Sequence, residues 1–202
     1  MKITKELLKE KGACADGYRD FLKEYPVDKY PDGVEYQELL DCCAEKDFSY
    51  GSWLLGAFGK TDEVRKIDGD LIVEKGIIFA GRLEVKGCIK AGLGIKAGDG
   101  IDAGRGIDAG GGIEAGEGIK AGDGIDAGRG IDAGWCIKAG RGIDAGRGIK
   151  AGCGIEAGDE FGIYAGLSCR STNKTQRKII AKERPENIMC GEFEEKKDDA
   201  VR

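Results

Sequence analysis

Residues 94–109 read GIKAGDGIDAGRGIDA, a six-residue unit in which one isoleucine, one alanine and two glycines recur while two positions vary. Written as Ile, variable, Ala, Gly, variable, Gly, the unit has six slots, and isoleucine fills slot one at every sixth residue from Ile89 to Ile155. Apolar, polar, apolar is the alternation of a strand with one face buried, so Ile and Ala point inward. Three residues are too few for a helix. The Gly-x-Gly that follows is expected to turn the chain through positive φ, which glycine reaches without steric cost. A corner every six residues cannot make a flat sheet, and the remaining solution is a coil of short stacked strands, a β-solenoid.

The register extends both ways. Leu71 with Val73, Ile77 with Phe79 and Leu83 with Val85 place apolar residues in slots one and three before the regular repeats. Phe161 with Ile163 and Leu167 with Cys169 do so after them, giving 17 hexads from Leu71 to about Thr172. Charge decides the number of sides, because residues stacked in neighbouring strands lie about 5 Å apart and like charges there repel. A spacing of 18 yields the column Arg105, Asp123, Arg141, Asp159, which alternates in sign. A spacing of 12 stacks Arg129 on Arg141. Three sides per coil are therefore predicted, with five to six coils and a rod roughly 25 to 30 Å long. One side stacks Asp108, Asp126 and Asp144, with Arg129 and Arg147 expected to compensate the last two.

Flanking segments differ in kind. Residues 1–62 read as a small helical domain: Thr4 caps a helix ending near Gly12, Asp16 caps a second that Pro26 ends, and GVEYQELLDCCAEKD and FSYGSWLLGAFG supply two more. Acidic residues outnumber basic ones here. Residues 63–172 form the solenoid and residues 173–202 a C-terminal cap with a charged tail, since open solenoid ends invite end-to-end assembly. The fold class is thus mainly β, a three-sided β-solenoid with a small α-helical N-terminal domain and a C-terminal cap.

Composition narrows the function. The chain has 202 residues, a net charge of -5 and no histidine. No basic face gathers for direct nucleic-acid binding. No apolar run spans a membrane and the N-terminus lacks a signal-peptide core, so a cytoplasmic protein is predicted. Eight cysteines without a CxxC spacing are read as free thiols, with no metal and no cofactor expected. Gly104–Gly110 matches G-x-G-x-x-A literally, but no helix follows to receive a pyrophosphate. Histidine-based catalysis has no base, and the outward carboxylates Asp102, Asp108, Asp126, Asp132 and Asp144 alternate with Lys and Arg. A carboxylate-based hydrolase is the third-ranked reading.

What remains is surface chemistry. Trp135 is the one aromatic in a variable slot of the regular repeat, stacked on Glu117 and Asp99 and below Cys153. Exposed tryptophans are enriched in binding hot spots; the alternative is a tryptophan lying flat over corner glycines. Partner contacts are therefore assigned to Trp135, Glu117 and Asp99 and to the acidic side of Asp108, Asp126 and Asp144.

Two resemblances add context. The alternation opened by IDGDLIVEKG resembles the three-sided, right-handed solenoid of bactofilins, whereas the left-handed acyltransferase hexapeptide places its small residue four, not two, positions after the aliphatic one. The tandem GIxAGx array, with GIYAGL, ENIMCGEF and LLKEKGACADGYRDFL, resembles repeat proteins of phage and prophage sequences. That resemblance implies a non-enzymatic inhibitor that binds a bacterial defence nuclease complex, as anti-CRISPR proteins bind a Cas effector. The structural alternative is a self-assembling bactofilin-like rod or a phage particle component, and either could self-associate through a solenoid face as a homo-oligomer.

Overall fold

The computed structural model describes residues 1–167 and 174–196. It is mainly β: three parallel sheets of seven, seven and six strands, preceded by four short helices. From Ile89 to Ala151 each strand is three residues, Ile-x-Ala, with the Ile and Ala buried and the middle residue outward. Consecutive strands join different sheets, and each pairs with the strand 18 residues away, as in Ile107 with Ile125 and Ile125 with Ile143. We number the sheets by three consecutive strands: sheet 1 contains Ile89–Ala91, sheet 2 Ile95–Ala97 and sheet 3 Ile101–Ala103. Seven stacked strands span about 29 Å.

The core is a stack of isoleucines and alanines, nearly all under a tenth exposed, with no buried charged side chain among the described residues. Its charges lie outside and pair between coils, where stacking brings them together. Lys90 reaches Asp108 at 3.1 Å, Lys138 reaches Glu156 at 2.8 Å, Lys150 reaches Asp132 at 3.3 Å and Arg141 reaches Asp123 at 3.4 Å. Lys96 pairs with Glu114 in the same way.

Two expectations are corrected here. First, no glycine of the regular repeat has positive φ; the glycines that do are Gly12, Gly33, Gly59, Gly166 and Gly191. The repeat glycines serve close approach instead. A Cβ on a slot-four glycine would meet the carbonyl oxygen of the coil before it, at 2.0 Å for Gly134 and 1.8 Å for Gly152. Slot six is roomier: a Cβ there meets the next coil's carbonyl at 3.4 Å for Gly106 and nothing within 4 Å for Gly154. That difference explains why slot four is glycine throughout 92–158 while slot six admits Cys88 and Cys136.

Second, the hexad register stops before Phe161. Ile143 pairs with Ile163, two residues later than the register places its partner, so Ile163 and Ala165 occupy slots one and three. The extra residues form a turn closed by the Phe161 N–H on the Gly158 carbonyl at 2.8 Å. Ile149 then pairs with Ile179 across a longer excursion. Strands Lys178–Ala181 and Glu192–Glu195 extend sheet 2, and Ile188–Cys190 extends sheet 1, so the segment expected as a cap carries strands of its own. Cys169 and Thr172, the last members of the expected register, lie outside the described residues, as does the tail from 197.

The N-terminal helices are α1 (Lys5–Glu10), α2 (Ala15–Glu24), α3 (Tyr36–Lys46) and α4 (Phe48–Phe58). Thr4 caps α1, its hydroxyl accepting the Leu7 N–H at 3.3 Å. The α2 cap is Cys14 rather than Asp16: the Sγ accepts the Gly17 N–H at 3.4 Å, and Asp16 sits in the first turn, bonded to Arg19. Leu8, Phe21, Tyr25, Tyr36, Leu39, Leu40, Leu54 and Leu55 form a second core that also buries Ile78 and Ala80. Ile78 is the outward residue of strand Ile77–Phe79, the first of sheet 2, so the helical domain packs against the outer face of the first coil. Gln37 completes the joint. Its amide donates to the Ile78 carbonyl at 2.8 Å and accepts the Ala80 N–H at 3.0 Å, supplying the edge of sheet 2 with the bonds a further strand would make. No helix among the described residues is long and apolar enough to cross a membrane.

Candidate functional site

The structure separates the six residues assigned to partner contact into two groups. Asp99, Glu117 and Trp135 stack in the turns that lead from sheet 2 to sheet 3, the Trp135 N–H donating to the Glu117 carbonyl at 3.2 Å and the Glu117 N–H to Asp99 at 3.1 Å. Asp108, Asp126 and Asp144 stack on sheet 1. The two groups do not share a sheet.

At the turn column, Trp135 is 61% exposed. Its acidic neighbours are already engaged. Lys60, just beyond α4, bonds Glu117 at 2.9 Å and Asp99 at 3.5 Å, and Arg82 approaches Asp99 at 3.5 Å. These neighbours hold Lys60 protonated above its ordinary range, the hydrogen bond to Glu117 first. The carboxylates therefore tie the helical domain to the solenoid. No sequence pattern pointed to Lys60, which lies outside the repeat.

On sheet 1, Lys90 neutralises Asp108, but Asp126 and Asp144 make no ion pair among the described residues. The expected compensation fails: Arg129 and Arg147 stack on each other in the turns from sheet 1 to sheet 2, the Arg147 N–H donating to the Arg129 carbonyl at 3.2 Å. Burial and then the neighbouring aspartate push the Asp126 and Asp144 carboxyls above the ordinary range. Asp144 Oδ1 is buried without a hydrogen-bond partner among the described residues. Tyr164 pairs over Asp144, and with Phe161 it ends a shallow groove of about 530 Å³ along the three aspartates. A raised carboxyl pKa means the folded chain disfavours the charged form. The resulting cost is fully present at neutral pH and is lost as pH falls through the raised values toward the ordinary one. Asp126→Asn, which relieves both contacts, is expected to raise stability at pH 7 by ~0.5 kcal/mol. The gain shrinks toward acid, and urea denaturation at the two pH values measures it.

A third surface was not visible in the periodicity. Between the α1–α2 pair and the α3–α4 pair lies a cleft of about 500 Å³, walled by Leu8, Phe21, Tyr25, Leu39, Tyr50 and Trp53, with the thiols of Cys14, Cys42 and Cys43 at its side. Burial pushes the Cys43 thiol up to about 12, so that thiol stays protonated and packs as an apolar group. Lys46 and Glu24 pair across the cleft's lip. No group of three or more His, Cys, Asp or Glu side chains among the described residues is placed to hold a metal ion.

Comparison with protein-family models, with curated proteins and with solved structures gave no match.

Proposed function

We propose that the protein is a non-enzymatic binding module, a β-solenoid that engages a protein partner through Trp135. The observation that carries this reading is the exposure of the largest side chain of the repeat on a turn whose acidic neighbours are both paired with Lys60. A rigid indole surrounded by glycine backbone loses little conformational freedom on binding and buries a large apolar area. By the resemblance of the GIxAGx array to phage and prophage repeat proteins, the partner is a component of a bacterial defence nuclease complex such as a Cas effector. The charge of -5 and the paired surface charges favour protein over nucleic acid as the direct contact. The test is affinity capture from a bacterial host followed by titration of the captured partner. Trp135→Ala is expected to weaken binding at least thirtyfold, equivalent to ~2 kcal/mol, with Trp135→Phe recovering part of it. Unchanged affinity in Trp135→Ala removes this residue from the interface.

A second reading has its own observation. The first strands of sheets 3 and 1, Val64–Ile67 and Leu71–Val73, have no strand beyond them, and Val64 and Ile72 are 46% and 66% exposed. Gln37 closes the corresponding edge of sheet 2 only. Two open edges favour a bactofilin-like rod that grows end to end or a phage particle component. Light scattering against concentration separates the readings: reversible growth into filaments supports the rod and counts against the inhibitor.

A further inference from the structure

Cys136 and Cys153 occupy slots six and five of successive coils, 17 residues apart, and so are diagonal neighbours in the stack. The Cys153 N–H donates to the Trp135 carbonyl at 3.1 Å, and the Ile137 N–H donates to the Gly154 carbonyl at 3.0 Å. Those two bonds bracket the pair. Strands about 4.8 Å apart with about 3.3 Å between successive residues put diagonal Cα atoms about 6 Å apart. A disulfide accepts Cα separations of about 4.4 to 6.8 Å. Both thiols are half-buried and neither is bonded to another sulfur. Lys138, itself paired with Glu156, lies near both thiols, and Lys182, whose N–H donates to the Cys153 carbonyl at 2.9 Å, lies beside Cys153. The thiolate is the form that attacks peroxides. The neighbouring Cys136 thiol, the first cause named, raises the Cys153 pKa, in keeping with the diagonal placement.

We propose that Cys136 and Cys153 form a peroxide-responsive dithiol that closes to a disulfide, stapling two consecutive coils beside Trp135. One thiolate attacks hydrogen peroxide, the O–O bond breaks, and a sulfenic acid and hydroxide form. The second thiol then attacks the sulfenic sulfur, the S–S bond forms and the sulfenic oxygen leaves as water. In sum, two thiols are oxidised by two electrons and one peroxide is reduced to two waters. The inference stands apart from the partner-binding reading, since it concerns the free chain.

The experiment treats the folded full-length protein with hydrogen peroxide and maps its cysteines by peptide mass spectrometry. The expected product links the peptide Gly130–Lys138 to Cys153, is reversed by dithiothreitol, and is absent in Cys136→Ser and in Cys153→Ser. Cys169→Ser, which removes the other cysteine of the peptide that carries Cys153, is expected to leave the product unchanged. Trp135 supplies a second readout, its fluorescence falling on oxidation and recovering on reduction, with no change in Cys136→Ser. Recovery of Cys136 and Cys153 as free thiols or sulfinic acids under conditions that oxidise other cysteines overturns the proposal, as does linkage of either to a different cysteine.

Discussion

Gly152→Ala is expected to destabilise the protein by about 4 kcal/mol or more, while Gly154→Ala, two residues on, is expected to stabilise it by about 0.5 kcal/mol. The two glycines share one turn, and neither has positive φ, so backbone conformation does not distinguish them. Distance to the neighbouring coil does. A Cβ at Gly152 would stand 1.8 Å from the Gly134 carbonyl oxygen and 2.7 Å from its carbon, both backbone atoms held in the ladder. Relief requires separating two coils, which breaks the Gly152 N–H bond to Ala133 at 3.0 Å and disturbs the bonds beside it. At Gly154 the added methyl meets nothing within 4 Å, so its main effect is to reduce the freedom of the unfolded chain. Denaturation midpoints at equal slope would measure both. Equal effects at the two sites would show that the glycines are retained for conformation after all.

Ile125→Ala carries the next largest effect, an expected loss of about 3 to 4 kcal/mol, against about 1 kcal/mol for Ile125→Val. Ile125 is 1% exposed and stacks between Ile107 and Ile143 in sheet 1. Because the backbone ladder fixes the coil spacing on both sides, the core cannot collapse into the space an isoleucine leaves, which places the cost toward the upper part of the usual range. Ile155, in the last strand of sheet 3, has a regular neighbour on one side only. Its replacement by alanine is expected to cost less, since each coil of a solenoid is stabilised chiefly by the coils it touches. Equal losses at the two positions would show that the stack unfolds without regard to position.

Much of the fold was legible because a six-residue period leaves few alternatives. Ile-x-Ala alternation specified which side chains face inward, and the charge columns pointed to the pairing of residues 18 apart that Lys138 and Glu156 now display. Legibility ended where the period did. Residues 158–162 and the excursion before Ile179 contain no signal that two and then more residues interrupt the coil, so Phe161 was placed in a core slot and is exposed instead. The helix caps were half legible: Thr4 caps as its chemistry suggests, but a thiol displaced the nearby aspartate at α2.

The candidate site divides in the same way. The sequence by itself determined that Trp135 interrupts a run of charged and glycine corner positions and that Asp108, Asp126 and Asp144 share a column, since both follow from counting in sixes. Only the tertiary structure decided that these features lie apart, that Lys60 occupies the carboxylates beside Trp135, and that Arg129 and Arg147 leave Asp126 and Asp144 unpaired. It also decided that Gln37 replaces a missing strand at one sheet edge and that Cys136 and Cys153 fall diagonally in successive coils. The physical reason is one of range. Burial and stacking repeat with the local period and can be read along the chain, whereas an ion pair, an edge bond or a thiol contact depends on where distant backbone segments bring side chains within a few ångströms.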